Sequence, residues 1–277
     1  MTEIISPEPS FEIINLAANA AEVRVALFDF DGTLSLLRAG WANVMVPMMV
    51  EELAGLKSGE SETEIESVVR EFVDRLTGKQ TVYQMIELGR QVELRGGLPK
   101  DPLAYKRQYL DLLGASIEHR LEEVRTGQAA PQKYLVPGSI EILQDLRARG
   151  LRLYLASGTD EQYMKMEADL LGVTPYFDGG VYGALDAYET FSKRILIQKI
   201  IDRSECHGQQ ILGFGDGYVE IENVKDVGGV AIGVASDEGS CLRVDAWKRE
   251  RLTKAGADGI IPNYLQWDML AERLFSK

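Results

Sequence analysis

Short apolar runs and longer helical stretches alternate along most of this chain. Residues 23–28 form a brief, β-branched run that ends at Asp29, which is typical of a buried parallel strand. Further strands are predicted at 151–156, 210–214, 229–235 and 259–261, and a hairpin-like stretch at 176–182. Helices are predicted between them at 139–150, 160–171 and 192–203, the first with Ser139 as its N-cap and Gly150 as its stop. This alternation favours an α/β fold with a doubly wound parallel sheet.

Residues 36–132 carry helical periodicity and no strand signal. Four helices are predicted there, one of them over 41–56 with Pro47 at its start or at a kink. Met45, Met48 and Met49 belong to its expected apolar core. We therefore predict a discontinuous α/β core domain (1–35 and 133–277) and an inserted helical domain (36–132).

Composition and charge exclude several classes of protein. The 277 residues are 45% hydrophobic and 26% charged, as in globular proteins, and contain no apolar run of the roughly 18–20 residues that a membrane span needs. The net charge of −13 suits neither a nucleic-acid backbone nor an anionic membrane surface. Cys206 and Cys241 are too few for a disulfide framework or a zinc cluster, and His119 and His207 are expected at the surface. The N-terminus lacks a secretory signal, so a cytoplasmic protein with reduced thiols is expected.

Polar residues stand where three predicted strands end: Asp29 and Asp31, Ser157, and Asp216. Ligands of open parallel sheets bind at the carboxyl ends of the strands, so these side chains are expected to converge. Asp-x-Asp alone is more often an ordinary acidic turn. Here it follows a buried strand and continues with Gly32 and Thr33, which favours a functional motif.

The motifs in this order resemble the haloacid dehalogenase superfamily of phosphatases and phosphotransferases. The resemblance rests on Asp29 to Thr33, on Ser157, on Lys193, and on Gly215-Asp-Gly-Tyr-Val-Glu220. It covers most of the chain outside residues 36–132. It implies a Rossmann-like core with a helical cap domain, as in phosphoglycolate phosphatases and β-phosphoglucomutases.

That resemblance also implies a role for each motif residue. Asp29 would attack phosphorus as the nucleophile, and Asp31 would act as the general acid and base. Mg²⁺ would be held by the Asp29 carboxylate, the Asp31 backbone carbonyl and Asp216, with Glu220 as a direct or water-mediated ligand. The phosphoryl group would be bound by Thr33, Ser157, the N–H of Gly158, and Lys193. The chemistry agrees, because carboxylates about 4 Å apart repel by about 4 kcal/mol at an effective dielectric constant of about 20 and need a cation.

Some of these residue assignments have alternatives. Lys199 could replace Lys193 as the phosphate ligand, and Ser157 could serve as the N-cap of the next helix. Glu220 departs from the family, which more often has Asp there. Residues 213–217 look like a dinucleotide loop but lack the G-x-G-x-x-G spacing.

The helical insert indicates a small or medium phosphorylated metabolite as substrate, in a monomer or homodimer without nucleic-acid or membrane partners. Arg38, Trp41 and Asn43 are candidate specificity contacts. Arg38 would either clasp a second anionic group or form an ordinary surface ion pair. The sequence does not rank Lys106 and Arg107 among the candidate substrate contacts.

Two other functions remain open on the same motifs. A phosphomutase would return the phosphoryl group to its substrate, and a non-catalytic protein would only bind a metabolite. Asp31 disfavours dehalogenase chemistry, and phosphonate hydrolysis would need a Schiff-base lysine that we cannot identify in the insert.

Overall fold

A seven-stranded sheet forms the centre of the computed structural model, which describes residues 11–186, 188, 192–204 and 206–276. Its strands are β1 (Glu12–Ile13), β2 (Val25–Phe28), β3 (Arg152–Asp160), β4 (Gly180–Ala184), β5 (Ile211–Gly215), β6 (Val230–Val234) and β7 (Gly259–Ile261). They lie in the order β1-β7-β6-β5-β2-β3-β4, and every adjacent pair is parallel except β1 with β7. The α/β sheet prediction is confirmed.

Ten α-helices accompany the strands in the described part of the chain. They are α1 (Ala42–Ala54), α2 (Glu62–Leu76), α3 (Thr81–Leu94), α4 (Pro102–Arg125), α5 (Ser139–Ala148), α6 (Glu161–Leu170), α7 (Lys193–Ser204), α8 (Tyr218–Asp226), α9 (Ala246–Lys254) and α10 (Trp267–Phe275). Short 3-10 turns occupy Pro131–Tyr134, Thr174–Tyr176 and Gly208–Gln210. No helix among the described residues has the length and apolarity to span a bilayer.

The central strand β2 is buried on both faces, which explains its continuous apolar sequence. Val25 and Leu27 pack with residues of α7, α8 and α9 on one side of the sheet. Ala26 and Phe28 point to the other side, where α5, α6 and α10 pack. Phe28 stacks on Phe214 of β5 with ring centroids 4.5 Å apart. Helices on both faces make the sheet doubly wound.

The segment from 36 to 132, all of it described, contains α1 to α4 and no strand. Pro47 lies inside α1 rather than at its start, and Met45, Met48 and Met49 are buried as expected. The two ends of the segment lie side by side: the N–H of Leu36 donates to the carbonyl of Tyr134, and that of Val136 to the carbonyl of Leu34, both at 2.9 Å. Adjacent ends are what an inserted domain requires.

Two local predictions are wrong. Residues 176–182 form no hairpin, because β4 pairs in parallel with β3 after a turn at Asp178 and Gly179. Ser139 is not the N-cap of α5; that position belongs to Gly138, whose φ is +83°, and the Ser139 hydroxyl donates to the carbonyl of Val136 at 2.6 Å. A Cβ on Gly138 would lie 2.6 Å from the backbone carbon of Tyr264, so close packing there requires glycine.

Other elements extend beyond the predicted pattern. β3 continues through Ser157 to Asp160 instead of ending at residue 156, and β1, α8, α9 and α10 were not predicted. His119 and His207 are exposed, as expected. Cys206 and Cys241 are buried free thiols.

Candidate active site

The carboxyl ends of β2, β3 and β5 meet at one cleft because β2 lies between the other two strands. Phe28 pairs with both Leu155 and Phe214, and the N–H of Asp29 donates to the carbonyl of Phe214 at 2.9 Å. The cleft lining includes Asp29, Asp31, Gly158, Lys193, Asp216 and Glu220. Residues far apart in sequence thus converge as the strand pattern predicted.

Lys193 is buried and bonded to two carboxylates of the cleft. Its Nζ lies 2.5 Å from Oδ1 of Asp29 and also donates to Oε1 of Glu220. Burial alone would lower the pKa of Lys193, but these two carboxylates hold it above its ordinary value. Lys199 is exposed on the same helix and does not line the cleft, so the geometry favours Lys193 over that alternative.

Burial raises the pKa of Asp29 well above its ordinary value. The ammonium of Lys193 opposes that rise, while the carboxylates of Glu220 and Asp216 add to it. A desolvated carboxylate next to one cation, with acidic neighbours, suits an activated nucleophile better than a surface turn residue.

Asp31 is held by two hydroxyl groups from the end of β3. Its Oδ2 accepts from Oγ1 of Thr159 at 2.8 Å and from Oγ of Ser157 at 3.2 Å. Ser157 is buried and absent from the cleft lining, whereas Gly158 and Thr159 line it. The N-cap of α6 is Asp160, not Ser157.

Thr159 was missed by the sequence reasoning, although a signal existed. Residues i and i+2 of a strand point to the same face, so a strand extended past residue 156 places the hydroxyls of Ser157 and Thr159 on one side, where both reach Asp31. Thr33 lies differently: its side chain is fully buried, its Oγ1 lacks a hydrogen-bond partner, and it does not line the cleft. Its backbone carbonyl accepts from the Tyr264 hydroxyl at 3.0 Å.

Asp216 faces a second lysine that the sequence did not single out. Nζ of Lys248 lies 3.0 Å from Oδ2 of Asp216 and 3.4 Å from Oε1 of Glu238. Burial raises the pKa of Asp216, against the effect of Lys248. A Cβ on Gly32 would lie 2.2 Å from Oδ2 of Asp216, so the absence of a side chain there lets the two motif loops meet.

Arg38 forms a buried ion pair, which corrects the alternative of a surface pair. Its Nε and Nη2 bind the carboxylate of Glu167 at 2.6–3.1 Å, and its Nε lies 3.9 Å from Oδ1 of Asp31. Burial raises the pKa of Glu167 despite Arg38, and the Glu167 carboxylate holds the pKa of Arg38 above its ordinary value. The guanidinium lines the cleft, but an incoming anion would have to compete with Glu167 for it.

The other candidate contacts divide between the cleft and its surroundings. Trp41 lines the cleft together with Met45, whereas Asn43 is exposed and does not. Lys106 is buried and paired with Asp160 at 2.7 Å, and Arg107 is exposed.

The cleft lies between the sheet and the helical segment and has a volume of about 120 Å³. A single water needs only about 10–15 Å³, so the space suits a small molecule. The wall formed by the helical segment includes Trp41, Met45, Thr77, Gly78, Lys79, Thr81, Gln84 and Tyr109. The turn at Gly78 in this wall lies against Gly217 on the opposite side of the cleft. The two glycines are so close that a Cβ added to Gly217 would lie 3.1 Å from Cα of Gly78.

The cleft is rich in hard oxygen donors. Among the described residues, five acidic and three basic side chains line it. Lys248 and Glu167 lie just behind this lining and their charges cancel, so the described side chains carry an excess of two negative charges. Oδ1 of Asp31 and Oε2 of Glu220 are buried without hydrogen-bond partners. Among the described residues no three His, Cys, Asp or Glu side chains are already arranged as a metal site. The donor chemistry and the charge therefore fit a hard divalent cation, although a ligand shell is not preassembled.

Comparisons with known proteins agree with this architecture. The family model of haloacid dehalogenase-like hydrolases matches residues 23–228. No protein in a search of curated sequences matches the chain. One similar structure, from Haemophilus somnus, is described as a predicted phosphoglycolate phosphatase (13% identity, 90% of this chain and 98% of that chain covered, TM-score 0.59).

Two further structures share the fold. A β-phosphoglucomutase from Clostridium difficile is 16% identical, with 91% of this chain and 97% of that chain covered and a TM-score of 0.55. A haloacid dehalogenase-like hydrolase from Streptococcus pneumoniae is 19% identical, with 90% and 98% covered and a TM-score of 0.56. At these identities the likeness concerns the fold.

Proposed function

Because the chain belongs to the haloacid dehalogenase-like hydrolase family, we propose that it is a phosphatase that hydrolyses a small phosphorylated metabolite through an aspartyl-phosphate intermediate. The observation that carries this proposal is the buried contact between Lys193 and Asp29, with Asp31 held two residues further on by Thr159. A nucleophile, a cation and a separately anchored acid are the minimum for this chemistry.

In the first half-reaction, the Asp29 oxygen that Lys193 does not hold attacks phosphorus. The new bond joins that oxygen to phosphorus while the ester P–O bond breaks, and Asp31 gives its proton to the leaving oxygen. Lys193 stays against Asp29 and balances negative charge on the phosphoryl oxygens as the transition state forms.

In the second half-reaction, water attacks the phosphorus of the aspartyl phosphate. Asp31, now a carboxylate, takes a proton from that water, the phosphorus–Asp29 bond breaks, and inorganic phosphate leaves. The hydrogen bonds from Thr159 and Ser157 to Oδ2 of Asp31 keep its carboxyl group in one orientation for both steps. Ser157 thus acts through Asp31 in this scheme, and the Gly158 N–H remains the proposed phosphoryl donor.

Mg²⁺ is the proposed cofactor, held by Asp29, Asp216 and the backbone carbonyl of Asp31, where it would neutralise carboxylate and phosphoryl charge. Glu220 is close enough to assist, but its Oε1 is bonded to Lys193. This leaves Oε2, which has no partner, as its available donor.

Residues 36–132 are proposed to be a cap domain over this site. Their adjacent ends, their four helices and their wall of the cleft support that assignment. Such a cap would exclude bulk water during phosphoryl transfer and contact the rest of the substrate. The cleft volume favours a metabolite over a macromolecule.

The direct test is Asp29→Asn in purified protein. Wild type should release p-nitrophenol from p-nitrophenyl phosphate in the presence of Mg²⁺, and the variant should be inactive. Asp226→Asn is the matched control, because Asp226 is exposed at the end of α8 and should leave the rate unchanged. Activity that survives in Asp29→Asn would contradict the proposal.

A substrate panel would then identify the metabolite class. Sugar phosphates, phosphoglycolate-like acids and nucleotides are compared for free phosphate released and isomer formed. A phosphomutase would use the same residues, but would yield an isomer instead of inorganic phosphate.

A further inference from the structure

Lys248 reaches Asp216, a lining residue of the active cleft, from α9, yet the reaction proposed above gives it no task. Its side chain is 11% exposed, and its ammonium lies between two carboxylates, 3.0 Å from Oδ2 of Asp216 and 3.4 Å from Oε1 of Glu238. Lys193 already supplies the cation beside the nucleophile. A second buried lysine on the neighbouring carboxylate therefore needs its own explanation.

The backbone holds Lys248 in this place. Asp245 is the N-cap of α9, and its Oδ1 accepts from the N–H of Lys248 at 2.8 Å. The N–H of Asp245 in turn donates to the carbonyl of Ala235 at the end of β6, at 2.8 Å. The end of the interior strand β6 thus determines where the ammonium can reach.

Glu238 is also anchored, and its anchor is the linker that enters the helical segment. Its Oε2 accepts from the N–H of Gly40 at 3.0 Å. Gly40 has a φ of +83°, a backbone conformation that favours glycine. Both acceptors of Lys248 therefore line the cleft, and the anchored one, Glu238, is 3.4 Å from Nζ, compared with 3.0 Å for Asp216.

We propose that Lys248 is a positioning residue that weakens divalent-cation binding at Asp216, with Glu238 as the alternative acceptor to which its ammonium turns when a cation binds. This inference rests on the proposed function, because it takes Asp216 as a cation ligand. A cation and an ammonium on one carboxylate repel each other, so the affinity depends on how readily Lys248 can leave. Glu238 makes that departure possible without stranding a buried charge.

The two variants have opposite expected effects. Lys248→Met removes the competing ammonium, so the protein should bind Mg²⁺ about tenfold more tightly than wild type. Glu238→Gln removes the charge that receives Lys248, so binding should weaken severalfold. A lysine that merely supported the local structure would give the reverse result for Lys248→Met, since a loosened Asp216 binds a cation less well.

The experiment titrates the purified full-length chain with Mg²⁺ by calorimetry, and with Mn²⁺ by electron paramagnetic resonance, without substrate. Lys254→Met is the matched control, since Lys254 lies on the same helix with its side chain 74% exposed and paired with Glu250. Lys248→Arg should keep wild-type affinity because it keeps the charge. Lys248→Gln replaces Lys248→Met if circular dichroism shows that the latter is unfolded.

Unchanged or weaker binding in the folded, uncharged Lys248 variant would overturn the inference, as would a wild type that binds neither ion. The proposed function is tested separately by phosphate release. A wild type that responds as expected in the titrations but hydrolyses no ester would contradict the phosphatase proposal alone.

Discussion

The ammonium nitrogen of Lys193 lies 2.5 Å from Oδ1 of Asp29, although 164 positions separate the two residues. Both are buried, so neither charge is compensated by bulk water. The contact therefore ties the start of α7 to the end of β2 at the floor of the cleft. Removing the lysine should affect both the chemistry and the fold.

Lys193→Met should lower kcat/KM by roughly 10²–10³-fold, because the transition state loses a cation placed in advance. Lys199→Met is the matched control: the same substitution, on the exposed side of the same helix, should leave kcat/KM unchanged. Steady-state kinetics on folded proteins measures both. If Lys199→Met lowered kcat/KM and Lys193→Met did not, Lys199 would be the phosphate ligand.

Thr159→Val should slow the hydrolysis of alkyl phosphates about tenfold, because Asp31 loses the 2.8 Å hydrogen bond that orients it. The effect on p-nitrophenyl phosphate should be smaller, since that leaving group needs little protonation. Comparing kcat/KM for the two substrates isolates the acid step, because kcat/KM covers only the steps up to formation of the aspartyl phosphate, before Asp31 acts as the base. Thr159→Ser retains the hydroxyl and should restore the rate; equal losses on both substrates would argue against positioning of Asp31.

Arg38→Met should destabilise the protein by about 3–5 kcal/mol near neutral pH, because it strands the buried carboxylate of Glu167. Burial already raises the pKa of Glu167, and the loss of Arg38 raises it further. When a carboxyl group has a higher pKa in the folded than in the unfolded state, the protein loses stability as the pH rises through the range between those two pKa values.

The deficit in unfolding free energy of Arg38→Met relative to wild type should therefore shrink as the pH falls from neutral, because Glu167, whose pKa is raised, takes up a proton in the folded variant before ordinary carboxyl groups do. Urea unfolding at several pH values measures it. Arg70→Met removes an exposed partner of Glu66 and should change stability little at any pH. If the stability deficit of Arg38→Met did not vary with pH, the unpaired carboxylate of Glu167 would not be its cause.

Gly78→Ala and Gly59→Ala form a matched pair in the helical segment. Their φ values are +96° and +94°, so both substitutions should cost about 1–2 kcal/mol of stability. A Cβ on Gly78 would also lie 3.4 Å from Cγ2 of Val219 across the cleft, whereas Gly59 has no atom within 4 Å. Only Gly78→Ala should raise KM severalfold. Equal KM values would mean that this contact does not control substrate binding.

Local sequence patterns determined much of this protein. The apolar run before Asp29 predicted β2, because a strand buried on both faces needs apolar residues at every position. Four helices were predicted between residues 36 and 132 because each must bury one face. The predicted strand ends then placed Asp29 and Asp216 at the carboxyl edge of the sheet, where both line the cleft. These inferences need only periodicity and the rule that parallel strands share a carboxyl end.

Charge partners were decided by the tertiary structure. Arg38 pairs with Glu167, 129 positions away, and Lys248 reaches Asp216 and Glu238. Periodicity reports which face of an element is buried, but not which side chain of another element lies opposite. The hydroxyl of Ser157 turns to Asp31, and Thr33 is buried, for the same reason. Hydrogen bonds and ion pairs depend on ångström-scale distances between elements, which exist only once the chain has packed.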